Sequence, residues 1–192
     1  MRTLATALAA CLVASSAFAQ DGLVATPKGE DATEDQVVID DRAAPPEQEE
    51  ALKLFVGTWR CTGTSSTEYG ADVPTSFTIT GKKDLGGRWI VVRAEMTPKA
   101  KGAKPTVTSE IWGVSRHEGL VRNGAANDGA FLSSTSTGWA NERFSWTGTS
   151  SHYGKAAKEK LAFEKKSDKE LQVMWSVGPT ELRVVFEGTC KR

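Results

Sequence analysis

From Thr58 to the end of the chain, apolar and polar side chains alternate with a period of two, interrupted at short intervals by turn-forming residues. That period belongs to strands with one buried and one wet face. Ten strands are predicted, over about 58–65, 74–81, 87–97, 105–114, 119–125, 129–138, 142–149, 159–166, 170–177 and 181–190. Gly86-Gly87, Asn127-Asp128-Gly129, Ser167-Asp168-Lys169 and Gly178-Pro179 supply turns between them. Residues 98–104 read as a basic flexible loop, and 150–158 as a polar connection whose Lys155 to Lys160 portion is able to add a helical turn. Phe77 pairs with Ile79 on one face, Phe144 with Trp146, and Leu161 with Phe163. Leu171, Val173, Trp175 and Val177 form one apolar row and Leu182, Val184 and Phe186 a second, with Glu181, Arg183 and Glu187 opposite. Many short strands without a crossover helix give an antiparallel sheet, and closing that sheet removes its exposed edges. The expected fold is therefore all-β: a closed antiparallel up-and-down barrel of about ten strands. The strand at 129–138 is polar on both faces, and reads either as a weak seam or as the lining of a solvated cavity.

Before the first strand the period is helical. Pro45-Pro46 suits a first helical turn, and Glu47, Glu49 and Glu50 complement the positive end of the helix dipole. Ala51, Leu52, Phe55 and Val56 share one face, and Gly57 is suited to end the helix in the left-handed conformation. A short N-terminal helix is expected against a barrel mouth. Closure also gives the cysteines a role. The first and last strands of such a barrel are neighbours, so Cys61 and Cys190 come within reach of a disulfide; the alternative is two buried free thiols. A bridge over 129 positions stabilises by about 5 kcal/mol in the chain-entropy model.

The leader bounds the compartment. Arg2, an apolar Thr3 to Ser16 stretch and Ala17-Phe18-Ala19 before Gln20 read as a signal peptide over 1–19. The stretch is too short and too poor in large side chains for a transmembrane span. Leu8-Ala9-Ala10-Cys11 resembles a lipobox, so a lipoprotein anchored at Cys11 is the alternative to soluble export to the periplasm or medium. About 173 residues then remain, divided into a disordered acidic linker at 20–44 and a barrel domain at 45–192. Residues 20–50 carry ten acidic and two basic side chains, whereas 51–192 carry 21 basic and 14 acidic ones. This asymmetry reads as a solvated acidic leader on a mildly basic domain, as a tail that folds back on the basic surface, or as a basic surface that meets anionic envelope lipids or polysaccharide. No concentrated Arg/Lys stripe marks a nucleic-acid partner.

Leu54-Phe55-Val56-Gly57-Thr58-Trp59, followed by Leu85-Gly86-Gly87-Arg88-Trp89, resembles a lipocalin-like bacterial family, domain of unknown function 1579, within the lipocalin/calycin superfamily. The likeness spans roughly residues 47–192. It implies a ten-stranded barrel related to the nitrobindins and no established activity. The nitrobindin relatives hold haem through a histidine near the end of the barrel. Here residues 170–190 contain none, so haem is not carried over and no cofactor is expected.

Reactive chemistry is sparse. His117 and His152 are the only histidines, each in a polar segment, and a zinc site needs carboxylate help such as Glu118. Ser115-Arg116-His117-Glu118 brings a hydroxyl, an imidazole and a carboxylate together without a nucleophile elbow. Glu95 and Glu110 occupy strands whose faces the pattern leaves open, and Arg93, a conceivable anchor for an acidic head group, is equally ambiguous. No catalytic and no metal residues are assigned. The positive signal is aromatic: six tryptophans, of which Trp59, with Gly57, is read as structural. Trp89, Trp112, Phe144, Trp146 and Trp175 are the candidate cavity residues, since indoles offer broad apolar faces and one N–H donor. The expected function is binding of a small apolar or amphipathic molecule by a monomer or weak homodimer. The alternative is a non-catalytic envelope scaffold working through the acidic tail and basic surface.

Overall fold

A computed structural model describes residues 46–66, 72–98, 102, 104–115, 118–152 and 154–192. The predicted signal peptide with Cys11, the acidic linker and His117 lie outside the described residues. The helix α1 spans Pro46–Lys53. Among the described residues eleven strands follow: β1 Gly57–Ser66, β2 Asp72–Asp84, β3 Trp89–Pro98, β4 Thr106–Ser115, β5 Gly119–Ala126, β6 Phe131–Ser136, β7 Trp139–Ala140, β8 Arg143–His152, β9 Lys155–Ser167, β10 Glu170–Gly178 and β11 Arg183–Lys191. Each long strand pairs antiparallel with the next, β6 pairs with β8, and β1 pairs with β11. Ten strands thus close into an antiparallel barrel, with β7, only two residues long, resting on β8.

The ring closes where the alternation placed it. Cys61 lies directly opposite Cys190 in the β1–β11 register, and the two form a disulfide. Both are buried, as cysteines on inward-facing positions should be.

One end of the barrel is stoppered by α1 and the turn after it. Ala51, Leu52 and Phe55 are buried, and the Phe55 ring sits 4.9 Å from Phe163, 5.1 Å from Trp112 and 5.2 Å from Phe144. Carbonyls at a helix C-terminus lack intrahelical partners and need others. Here each is met. Trp139 Nε1 donates to Ala51 O at 2.8 Å, Phe55 N to Leu52 O at 3.0 Å, Val56 N to Lys53 O at 3.2 Å and Trp59 Nε1 to Leu54 O at 3.0 Å. Arg192 bonds to Val56 O and lies 5.0 Å above the Trp59 ring. The aromatic side chains therefore stopper the barrel and hold the helix end at once.

Three expectations are corrected. The helix ends at Lys53, so Gly57 (φ +112°) opens β1 rather than capping the helix. Lys155 to Lys160 extend β9 instead of forming a helical turn. The row Leu182, Val184, Phe186 is broken: Phe186 is buried opposite Trp175, but a β-bulge shifts the register so that Ser176 faces Val184. The extra residue turns Val184 outward, and it and Leu182 are exposed. Arg93, whose direction the pattern leaves open, lies on the outer face, exposed beside Glu95.

Candidate functional site

The inward positions form tiers. Next to α1 the tier is aromatic, with Trp112, Phe144, Trp146 and Phe163 packed around Phe55. The tier above it is charged. Strand registers align Arg122 on β5 with Ser134 on β6, Ser134 with Gly148 on β8, and Gly148 with Glu159 on β9. Two small residues thus separate a buried arginine from a buried glutamate along one row, leaving a lane through which the guanidinium reaches. Arg122 Nη1 donates to Glu159 Oε1 at 2.5 Å. On its other side Arg122 grips Glu110 with two parallel bonds, Nε to Oε2 at 2.7 Å and Nη2 to Oε1 at 3.1 Å. Gly124 faces Glu110 across the β4–β5 pair, and a Cβ at Gly124 would lie 2.6 Å from Glu110 Cγ, so glycine makes room for the carboxylate.

The two carboxylates are not equivalent. Glu110 also accepts from Trp112 Nε1 at 2.6 Å and from Thr108 Oγ1 at 2.9 Å, so both its oxygens are occupied by donors. Burial alone would push its carboxyl up, but the Arg122 charge and the bonds from Arg122, Trp112 and Thr108 outweigh that and hold it below its ordinary value. Burial likewise opposes the charge on Arg122, and Glu110 and Glu159 together overcome it and raise its pKa. Glu159 Oε2, by contrast, accepts no hydrogen bond among the described residues although the residue is only 1% exposed.

Above this tier lies a cavity of about 160 Å³. Its walls are mainly apolar, from Phe77, Ala94, Met96, Leu132, Leu161, Trp175 and Phe186, and its floor is Glu110, Arg122 and Glu159. It reaches the end of the barrel away from α1, where Asp128 and Phe131 are exposed at its rim. A larger hollow of about 480 Å³ beside α1, between Glu50, Leu120 and Trp139, has no buried polar group in its lining. The smaller cavity, with its fixed polar floor, is the candidate site.

Of the aromatic candidates, Trp175 lines this cavity. Trp112 lies one tier below and reaches it only through its bond to Glu110. Phe144 and Trp146 belong to the aromatic stopper. Trp89 is on the outer face, where it packs over Gly113, since Ile90 takes the inward position beside it. Trp59 holds the helix end, and Gly57 begins the strand that carries it. Glu110, Arg122 and Glu159 escaped assignment. The signal that finds them is period two counted from a large apolar anchor: Glu110 is two residues from Trp112, Arg122 two from Leu120 and Glu159 two from Leu161.

A carboxylate locked by four donors and held below its ordinary pKa is a poor general base near neutrality. Among the described residues no group of three or more His, Cys, Asp or Glu side chains is arranged to hold a metal ion, and no helix is long and apolar enough to cross a membrane.

No family model matches this sequence, and no curated protein matches it. Among solved structures the chain is similar to Rv2717c from M. tuberculosis, with a TM-score of 0.58 at 13% identity, covering 78% of this chain and 99% of that one. At that identity the likeness concerns the barrel fold.

Proposed function

We propose that this protein is an exported, lipocalin-like barrel, akin to domain of unknown function 1579 and the nitrobindins, that binds a small apolar or amphipathic molecule without catalysis. The observation that carries this reading is a cavity with apolar walls and a polar floor, closed off below by the α1 stopper. Its volume of about 160 Å³ matches apolar cavities of about 150 Å³ that admit benzene-sized guests. The occupant, or the part of it that enters, is accordingly about the size of one ring or a short alkyl chain. Export is supported by the leader and by the Cys61–Cys190 disulfide, since such bonds persist in oxidising compartments.

Native mass spectrometry of the protein purified from its own host tests the reading. A reproducible small-molecule adduct lost on denaturation is expected. A ligand-free protein that also gains no thermal stability from any benzene-sized probe would overturn it.

A further inference from the structure

Resting on that reading of the cavity, we propose that its ligand is a small organic cation: an ammonium group on an apolar body, with the ammonium against Glu159 Oε2. Charge is the first argument. The charged residues lining the cavity are Glu110, Glu159 and Asp128 against Arg122 alone, three carboxylates to one guanidinium. Two of those carboxylates are buried with the guanidinium, and by formal charge that cluster keeps one negative charge. A buried charge in excess of its partners is costly, and a bound cation offsets it.

Hydrogen bonding is the second argument, and it locates the contact. Glu110 is saturated, whereas Glu159 Oε2 and Ser150 Oγ are both buried, both on cavity-lining residues and both without a partner among the described residues. Ser150 and Glu159 are diagonal neighbours on adjacent strands, because Ser150 faces Ala157 and Gly148 faces Glu159. One ammonium carries three N–H donors, enough to serve the carboxylate and the hydroxyl together. An anion would meet Arg122 only beside the three lining carboxylates Glu110, Asp128 and Glu159. Three of the five guanidinium N–H groups of Arg122 already point at carboxylates.

The walls suit the rest of the molecule. Phe77 and Phe186 pack edge to face at 5.8 Å, and Trp175 lies opposite Phe186 in the strand register. These rings receive an apolar body and favour a cation over an anion beside their faces.

Calorimetric titration of the full-length folded protein at neutral pH with benzylammonium, benzyl alcohol, toluene and benzoate tests the proposal. Benzylammonium is expected to bind at least about tenfold more tightly than benzyl alcohol or toluene, and benzoate not at all, because hydrogen bonds to charged groups are worth more than neutral ones. Glu159→Gln, which keeps the side-chain shape, is expected to bring benzylammonium and toluene to within about twofold of each other. If toluene or benzyl alcohol binds the wild type as tightly as benzylammonium, or if Glu159→Gln keeps the preference, the cation proposal fails while the barrel remains a binder. If none of the four binds, both readings fail together. The ranking of probes on the wild type requires no variant, so it decides even if Glu159→Gln does not fold.

Discussion

Arg122 shares one guanidinium between two buried carboxylates, so neither glutamate can be changed without leaving the arginine short of a partner. Breaking a buried ion pair from one side costs about 3–5 kcal/mol, and Glu110→Gln should lower stability by that order in urea denaturation. The loss should depend on pH. The Glu110 carboxyl lies below its ordinary value of 4.5 in the folded protein, so as pH falls the unfolded chain takes up the proton first. Its stabilisation is complete above 4.5 and disappears as pH drops through the lower folded value. The gap in urea midpoint between wild type and Glu110→Gln should therefore be wide at neutral pH and narrower near about pH 3. An unchanged gap would mean that Glu110 stabilises through packing alone. Gly124→Ala probes the same niche sterically. A Cβ there meets Glu110 Cγ at 2.6 Å and the Ser109 carbonyl at 2.9 Å, and the backbone atom cannot swing aside. A loss of about 1–3 kcal/mol is expected from such overpacking, again read from urea midpoints.

At the scale of elements, the β1–β11 seam carries the one covalent link between the strands that meet there. Replacing Cys61 and Cys190 together by alanine should cost about 2–5 kcal/mol, with intact mass under non-reducing conditions showing the bond present in the wild type. That seam was legible in the amino-acid pattern because the inward rows of β8 and β9 alternate cleanly, and a sheet of many strands has few other ways to hide its edges. Elsewhere the pattern misleads for physical reasons. On β4 the hydrophobic rule is inverted: Glu110 is buried and Ile111 is 40% exposed. On β5 Leu120, Val121 and Arg122 are buried in succession, so no alternation exists to read. On β11 a bulge moves the rim residues off the period that Phe186 sets. The site was illegible because a polar cluster inside a barrel writes itself as polar residues in core positions, and only the registers show that Ser134 and Gly148 clear its path.

For the molecule as a whole, the Cys61–Cys190 disulfide is compatible with a periplasmic or secreted protein. If the leader is removed after Ala19, the exported protein should begin at Gln20, and intact mass of the secreted or periplasmic fraction checks it; a lipid adduct starting at Cys11 would instead show membrane anchoring. The pairing of β1 with β11 has a consequence in time as well as in space. The chain is made from one end, so β1 emerges first and its final neighbour is the last strand to appear. Until then β1 has an open edge, and a contact spanning that much sequence forms slowly. An edge left waiting invites pairing between copies. The composition of β1, Gly-Thr-Trp-Arg-Cys-Thr-Gly-Thr-Ser-Ser, is poor in large aliphatic side chains and so offers a neighbouring copy little to zip against. The strand edge that waits longest for its neighbour is thus poor in large aliphatic side chains, and Cys61 meets Cys190 only once β11 is in place.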